Sequence, residues 1–150
     1  MKNIFSPEVS EETINRIEQL SSETTPDWGK MNVGQMLAHL NIMFEKAYDP
    51  NHPKPSAFKK FLLKTFVKNA VVNEKPYKRN TPTAPEFKII DERDFNKEKE
   101  RLIEYIRKTQ KLGKEHFHNT EYVSFGVLTG DEWNNLFYKH LNHHLTQFGV

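Results

Sequence analysis

The 150 residues of this chain include no cysteine. This excludes a disulfide framework, a cysteine-ligated zinc site and a protein thiol nucleophile, so any thiol chemistry would need a thiol from outside the chain. The chain also lacks a large excess of charge of one sign, because it has 22 Lys and Arg and 20 Asp and Glu, for a formal net charge of +2 at pH 7. Such a balance creates no strong field for a phosphate backbone, and we expect no nucleic-acid partner.

Long apolar runs are absent as well, and the first residues contain no apolar signal core. We therefore expect no membrane partner and, by elimination, a cytoplasmic location. The length suits one domain over residues 1–150, and 11 Phe, 5 Tyr and 2 Trp supply bulky material for its core. We expect the protein to be a monomer or a homodimer. The sequence contains no internal repeat, no Gly-rich phosphate loop and no Gly-x-Ser-x-Gly nucleophile elbow.

Apolar spacing and capping residues predict an all-α fold with five helices. Helix starts are indicated by Ser6-Pro7 and Asp94 and by capping boxes at Asn32 and Thr129. The predicted helices cover residues 7–21, 32–47, 57–69, 94–112 and 131–148. The proline-containing stretch 49–55 should end the second helix, and Gly113 the fourth. Prolines between residues 71 and 93 predict a long irregular crossing, while residues 114–129 fit a short strand or a packed loop.

Two histidines lie inside the apolar stripe of the last predicted helix. His140 and His144 are four residues apart, so their rings lie one turn above the other and can face one atom. A single histidine on an apolar face is usually a neutral core residue that is hydrogen-bonded to a neighbour. The hydrogen-bonding groups of two histidines in register are harder to satisfy, because each neutral ring carries one donor and one acceptor. A shared metal ion would satisfy part of that need, but it requires a third ligand.

The second predicted helix offers that ligand. His39 lies on the flank of its apolar stripe, and helical proteins build metal sites from inward-pointing side chains on facing helices. Gln35 and Gln147 are near enough in sequence to orient ligands or substrate, although either could be a surface amide. His143 lies at the edge of the stripe and is a further pocket candidate. His116 and His118 form a second, weaker pair on a loop.

Several segments together resemble the DinB/YfiT-like superfamily of metal-dependent four-helix proteins, and most closely a branch of unknown function. The matching segments are Trp28-Gly-Lys-Met31, Gln35-Met-Leu-Ala-His39, Thr81-Pro-Thr-Ala-Pro85-Glu-Phe87, Phe125-Gly126, Glu132-Trp133 and 138–149. The resemblance implies an antiparallel four-helix bundle with an extra short helix, in which His39, His140 and His144 hold a divalent metal, with zinc or nickel favoured. His143 matches a family histidine outside the triad. Relatives include transferases and isomerases that use low-molecular-weight thiols.

Three neutral imidazoles leave a divalent ion with its full charge and an open position, which is the pattern of catalytic sites. The leading hypothesis is a metal-dependent transferase that uses a low-molecular-weight thiol on a small molecule. The alternatives are a metal-dependent hydrolase and a noncatalytic bundle that binds a small molecule or a partner. The sequence identifies no general base. Because protons compete with the metal for the same nitrogens, we expect metal affinity to fall as the pH drops through the unperturbed histidine pKa of about 6.5.

Overall fold

A computed structural model describes residues 1–49 and 51–150 of the chain, and it is mostly helical with one small sheet. The helices are α1 (Pro7–Glu18), α2 (Val33–Tyr48), α3 (Ala57–Leu62), α4 (Lys68–Val72), α5 (Phe95–Phe117) and α6 (Gly130–Gln147). A π-helical turn, Leu63–Val67, joins α3 to α4, and a 3-10 turn, Pro85–Phe87, lies in the crossing that leads to α5. Strands β1 (Thr120–Tyr122) and β2 (Gly126–Leu128) pair in antiparallel fashion.

The predicted helix starts are confirmed, each by a side chain that accepts a hydrogen bond from a backbone N–H of the first turn. Asn32 and Thr129 form complete capping boxes with Gln35 and Glu132. The oxygens of Ser6 and Asp94 accept from the residues three positions later. Because caps are local interactions, sequence spacing alone locates them. The second helix ends at Tyr48, as expected from stretch 49–55, of which Pro50 lies outside the described residues.

The expectation of an all-α fold needs correction in segment 114–129, where β1 and β2 form a hairpin. Tyr122 pairs with Gly126, whose φ of 76° suits glycine and lets the chain reverse. Tyr122 and Leu128 are buried against the helical core, whereas Val127 between them faces outward. Strands of three residues are too short for alternation to be visible in the sequence.

Two helices are longer than predicted. The helical segment after residue 57 continues through the π-helical turn to Val72, beyond the expected end at residue 69. Gly113 does leave helical geometry, with φ 75° and ψ 168°, but one more turn follows and ends at Phe117. That extra turn is stabilised by burial of the Phe117 ring against Phe5 and Trp133, at centroid distances of 5.5 and 5.3 Å.

The core lies where α5 packs against α1, α2 and α6. At its centre the ring of Phe44 stacks on Phe137 at 5.0 Å and on Tyr105 at 5.4 Å, which joins α2, α6 and α5. Among the residues that the structure describes, none of the helices is long and apolar enough to cross a membrane. The contact of α2 with α6 places the predicted histidines on facing helices.

A buried lysine fixes the end of α4 to α6. Lys139 is 3 % exposed, and its ammonium donates hydrogen bonds to the carbonyl of Ala70 at 2.9 Å and to both oxygens of Asn73 at 2.7 and 3.0 Å. Asn135 adds a bond of 2.8 Å to the carbonyl of Val72. Carbonyls at the end of a helix lack intrahelical donors, so these side chains satisfy them.

Replacing Lys139 by Met should therefore destabilise the protein by about 2–3 kcal/mol, because the part-buried carbonyls of Ala70 and Asn73 lose a charged donor while the aliphatic volume is kept. The midpoint of urea denaturation measures this change. Lys111→Met on the exposed face of α5 is the matched control and should change stability by less than about 0.5 kcal/mol. Equal midpoints for Lys139→Met and the unsubstituted chain would contradict the anchoring role.

Candidate metal centre

Three histidines converge between α2 and α6. One ring nitrogen from each of His39, His140 and His144 lies within 4.8 Å of the others, and the ring centroids are 4.6 to 4.9 Å apart. His39 and His144 are 4 % and 8 % exposed, and His140 is partly exposed. The structure thus brings together the three side chains that the sequence proposed as a set.

The backbone of the proline-rich crossing fixes the His39 ring. Its Nδ1 lies 2.8 Å from the carbonyl oxygen of Phe87. A carbonyl can only accept a hydrogen bond, so Nδ1 must carry the proton. In the neutral ring, Nε2 is then unprotonated and has a free lone pair. The 3-10 turn at Pro85–Phe87 holds that carbonyl against α2. This contact fixes the tautomer in which His39 can bind an ion through Nε2.

A chain of two hydrogen bonds fixes His144 in the same way. The Nε2 amide of Gln147 donates to the carbonyl of Trp28 at 2.5 Å, which orients Gln147 so that its Oε1 lies 2.8 Å from Nδ1 of His144. Nδ1 is therefore the donor and Nε2 of His144 is free. Gly29 makes this possible, because its φ is +89° and a Cβ there would collide with the Gln147 amide.

His140 completes the set from inside α6. Its Nδ1 lies 3.4 Å from the sulfur of Met43, and its Nε2 lies 2.8 Å from Nε2 of His39. Since His39 Nε2 is an acceptor, a protonated Nε2 of His140 can donate a hydrogen bond to it, or both nitrogens can face one cation. A tetrahedral ion with ligands at 2.0–2.1 Å places its donors about 3.3 Å apart. Small side-chain adjustments therefore bring the three donors into that range, and the residues fit a divalent metal.

Burial keeps these rings neutral. Desolvation lowers the pKa of His39, lowers that of His140 well below its usual value, and lowers that of His144 to about 3. The neighbouring imidazoles lower the pKa values of His140 and His144 further, because charges on adjacent rings repel. The neutral ring is the form that binds metal, so proton competition should begin below the pH of about 6.5 expected from the sequence.

The other candidates occupy different positions. His143 is half-buried beside the triad, with its ring centroid 5.0 Å from His144 and 5.5 Å from Tyr77. The Gln35 side chain belongs to the cap of α2 and donates to the Asp91 carbonyl at 3.4 Å, so it contacts the crossing and not the histidines. His118 accepts the N–H of Gly130, and His116 is exposed.

A cleft of about 230 Å³ opens beside the triad. The histidines form one wall, and the others come from the π-helical turn, the crossing and the hairpin, with contributions from Leu63, Val67, Tyr77, Tyr122 and Phe125. Sequence reasoning missed Tyr77 and Tyr122, because isolated tyrosines in irregular or short segments carry no periodic signal. It also missed the Phe87 carbonyl, since a backbone atom has no side-chain signature.

One family match describes nearly the whole chain. A family model with the description "Protein of unknown function (DUF1569)" matches residues 6–149. No curated protein and no solved structure matches the chain.

Proposed function

The chain belongs to the DUF1569 family of proteins of unknown function, and from its site we propose a divalent-metal-dependent enzyme, a transferase that uses a low-molecular-weight thiol on a small molecule. The observation that carries the proposal is the convergence of three imidazoles, two buried and one partly exposed, in which the Nδ1 atoms of His39 and His144 are hydrogen-bonded to fixed acceptors. Burying several neutral rings with their Nε2 atoms facing one point is costly unless those atoms share a partner. Zinc or nickel suits an all-imidazole set.

Each residue has a distinct role in this proposal. His39, His140 and His144 would hold the ion, while the Phe87 carbonyl and the Gln147 amide keep two of the rings oriented. When bound, the ion would supply Lewis-acid chemistry that lowers the pKa of a coordinated thiol or water. Because the chain has no cysteine, the thiol would enter as a cosubstrate. The apolar wall of the cleft would exclude bulk water from the substrate.

We also propose that the fold is an antiparallel four-helix bundle of the DinB/YfiT-like type. The four longest helices, α1, α2, α5 and α6, pack on one another, and the histidines come from α2 and, as an i,i+4 pair, from α6. This is the placement that the resemblance implied. The proposed location is the cytoplasm, where low-molecular-weight thiols are kept reduced.

A spectroscopic titration tests the thiol hypothesis. Cobalt(II) replaces zinc in imidazole sites and reports its ligands by absorption, so adding 2-mercaptoethanol to the cobalt-loaded, untagged protein should produce a sulfur-to-cobalt charge-transfer band in the near ultraviolet. His144→Ala should give no band because one of three ligands is lost. Ligand-field bands without a thiol band would favour the hydrolase alternative.

One observation favours a second candidate, a noncatalytic small-molecule-binding bundle. The His39 and His140 Nε2 atoms lie 2.8 Å apart, which is a hydrogen-bond distance, so the two rings can satisfy each other without an ion. In that case the cleft would bind its ligand without reaction. A cobalt titration with no protein-dependent spectrum would select this candidate.

A further inference from the structure

The cleft beside the histidines is lined mainly by apolar groups. Met43, Leu63, Val67, Val71, Phe125 and Leu136 contribute to its surface. No Lys, Arg or Asp is found among the described residues that line it, and its one carboxylate, Glu86, is paired with Lys59 at 3.2 Å. A charged ligand would lose its hydration there without gaining an opposite charge, so the lining favours a neutral molecule.

One of the residues that line the cleft, Tyr122, carries a polar group without a partner among the described residues. The hydroxyl of Tyr122 is fully buried and makes no hydrogen bond to the part of the chain that the structure describes, although a buried phenol normally does. Its ring is held edge-on against Trp133 and tilted against Phe125, both at 5.5 Å, so it cannot turn away to find one. Burial raises the pKa of Tyr122, so the hydroxyl stays protonated and can donate.

The size of the cleft limits its ligand. A cavity of about 150 Å³ holds benzene, so a volume of about 230 Å³ holds a molecule of about nine non-hydrogen atoms. Ligand sites commonly combine an apolar lining with one or two polar groups that fix orientation. Here the lining residues that could act in this way are the histidines and Tyr122, whose buried hydroxyl lacks a partner within the described chain.

We propose that this cleft binds a small neutral carbonyl compound whose oxygen accepts a hydrogen bond from Tyr122, with its apolar body against Leu63, Val67 and Phe125. Its role as the substrate rests on the proposed function, in which the histidines hold the ion beside it. The binding itself rests only on the cleft and the unpartnered hydroxyl. The two claims therefore fail separately.

Acetophenone and isopropylbenzene test this proposal, because they have nearly the same shape and only the first carries an acceptor oxygen. Each is titrated into the full-length protein without metal, and amide chemical shifts are followed by NMR. Tyr122→Phe should weaken acetophenone binding about 5- to 10-fold, the effect of one lost hydrogen bond, and should leave isopropylbenzene binding as tight or tighter. Tyr105→Phe, which changes a tyrosine outside the cleft, should alter neither.

A cleft-filling variant, Leu63→Trp, should abolish binding of both probes, and a thermal melt checks that each variant is folded. The proposal is overturned if acetophenone does not bind the unsubstituted protein at millimolar concentration, or if it binds Tyr122→Phe equally well. Binding of acetophenone by a protein that takes up no metal would uphold the ligand class and reject the metal-dependent function.

Discussion

Zinc is expected to raise the melting temperature of the untagged protein at pH 7.5 by about 5–10 °C when free zinc is about 100-fold above its Kd. The physical reason is mass action, because an ion bound only by the folded state adds about 2.7 kcal/mol at that excess. In His140→Ala or His144→Ala the rise should disappear, since one of three converging ligands is removed. Differential scanning calorimetry measures the melting temperature of each variant with and without zinc, so that each variant is its own reference.

Two further variants make this test specific. His116→Ala removes an exposed histidine of α5 and should keep the full zinc-dependent rise. Gln147→Leu keeps all three ligands but removes the acceptor that orients His144, so zinc affinity should fall about 10- to 100-fold. A rise of the same size in His144→Ala would show that zinc binds elsewhere.

Acid is expected to destabilise the metal-free protein strongly below pH 6.5. The folded-state pKa values of His39, His140 and His144 lie below the unfolded value, which is near 6.5. Between the folded and unfolded pKa values the unfolded chain binds more protons, so stability is intact above pH 6.5 and is lost as pH falls toward the folded pKa. With a folded pKa of about 3, His144 alone accounts for a loss of about 2 kcal/mol at pH 5.

Urea denaturation in the presence of a chelator, at pH 7.5 and pH 5, checks this linkage. His144→Gln has an amide that does not titrate, so its loss of stability between the two pH values should be smaller by about 2 kcal/mol. His116→Gln is the matched control. Equal losses in His144→Gln and the unsubstituted protein would mean that His144 does not resist protonation in the folded state.

The sequence predicted the histidine set because its signals are local. His140 and His144 share a helix face at i,i+4, and His39 lies on the flank of another apolar stripe, so periodicity alone assigns them to the interior. Capping boxes give the helix starts for the same reason. That α2 and α6 would face each other came from the resemblance and from the packing rule for helical folds, not from periodicity.

The contacts around the histidines could not be predicted because they depend on tertiary partners. The Phe87 and Trp28 carbonyls act through the backbone of irregular segments, and any residue could supply such an atom. Lys139 and Glu98 carry charges, which predict exposed side chains, yet both are buried. The carbonyl of Ala70 in α4 accepts a hydrogen bond from Lys139, and the amide of Asn41 donates one to Glu98. The sequence assigned Gln35 to the capping box of Asn32 and also offered it as a ligand-orienting residue, and the fold keeps only the first role, because the Gln35 amide contacts the crossing.

The most direct test of the metal centre is the metal content of the protein itself. Untagged protein is stripped with a chelator, dialysed to equilibrium against micromolar zinc at pH 7.5, and analysed by inductively coupled plasma mass spectrometry. Because His39, His140 and His144 form one site, we expect one zinc ion per chain in the unsubstituted protein and in His116→Ala, and close to none in His144→Ala. No zinc in the unsubstituted protein, or equal amounts in His144→Ala, would contradict the metal centre.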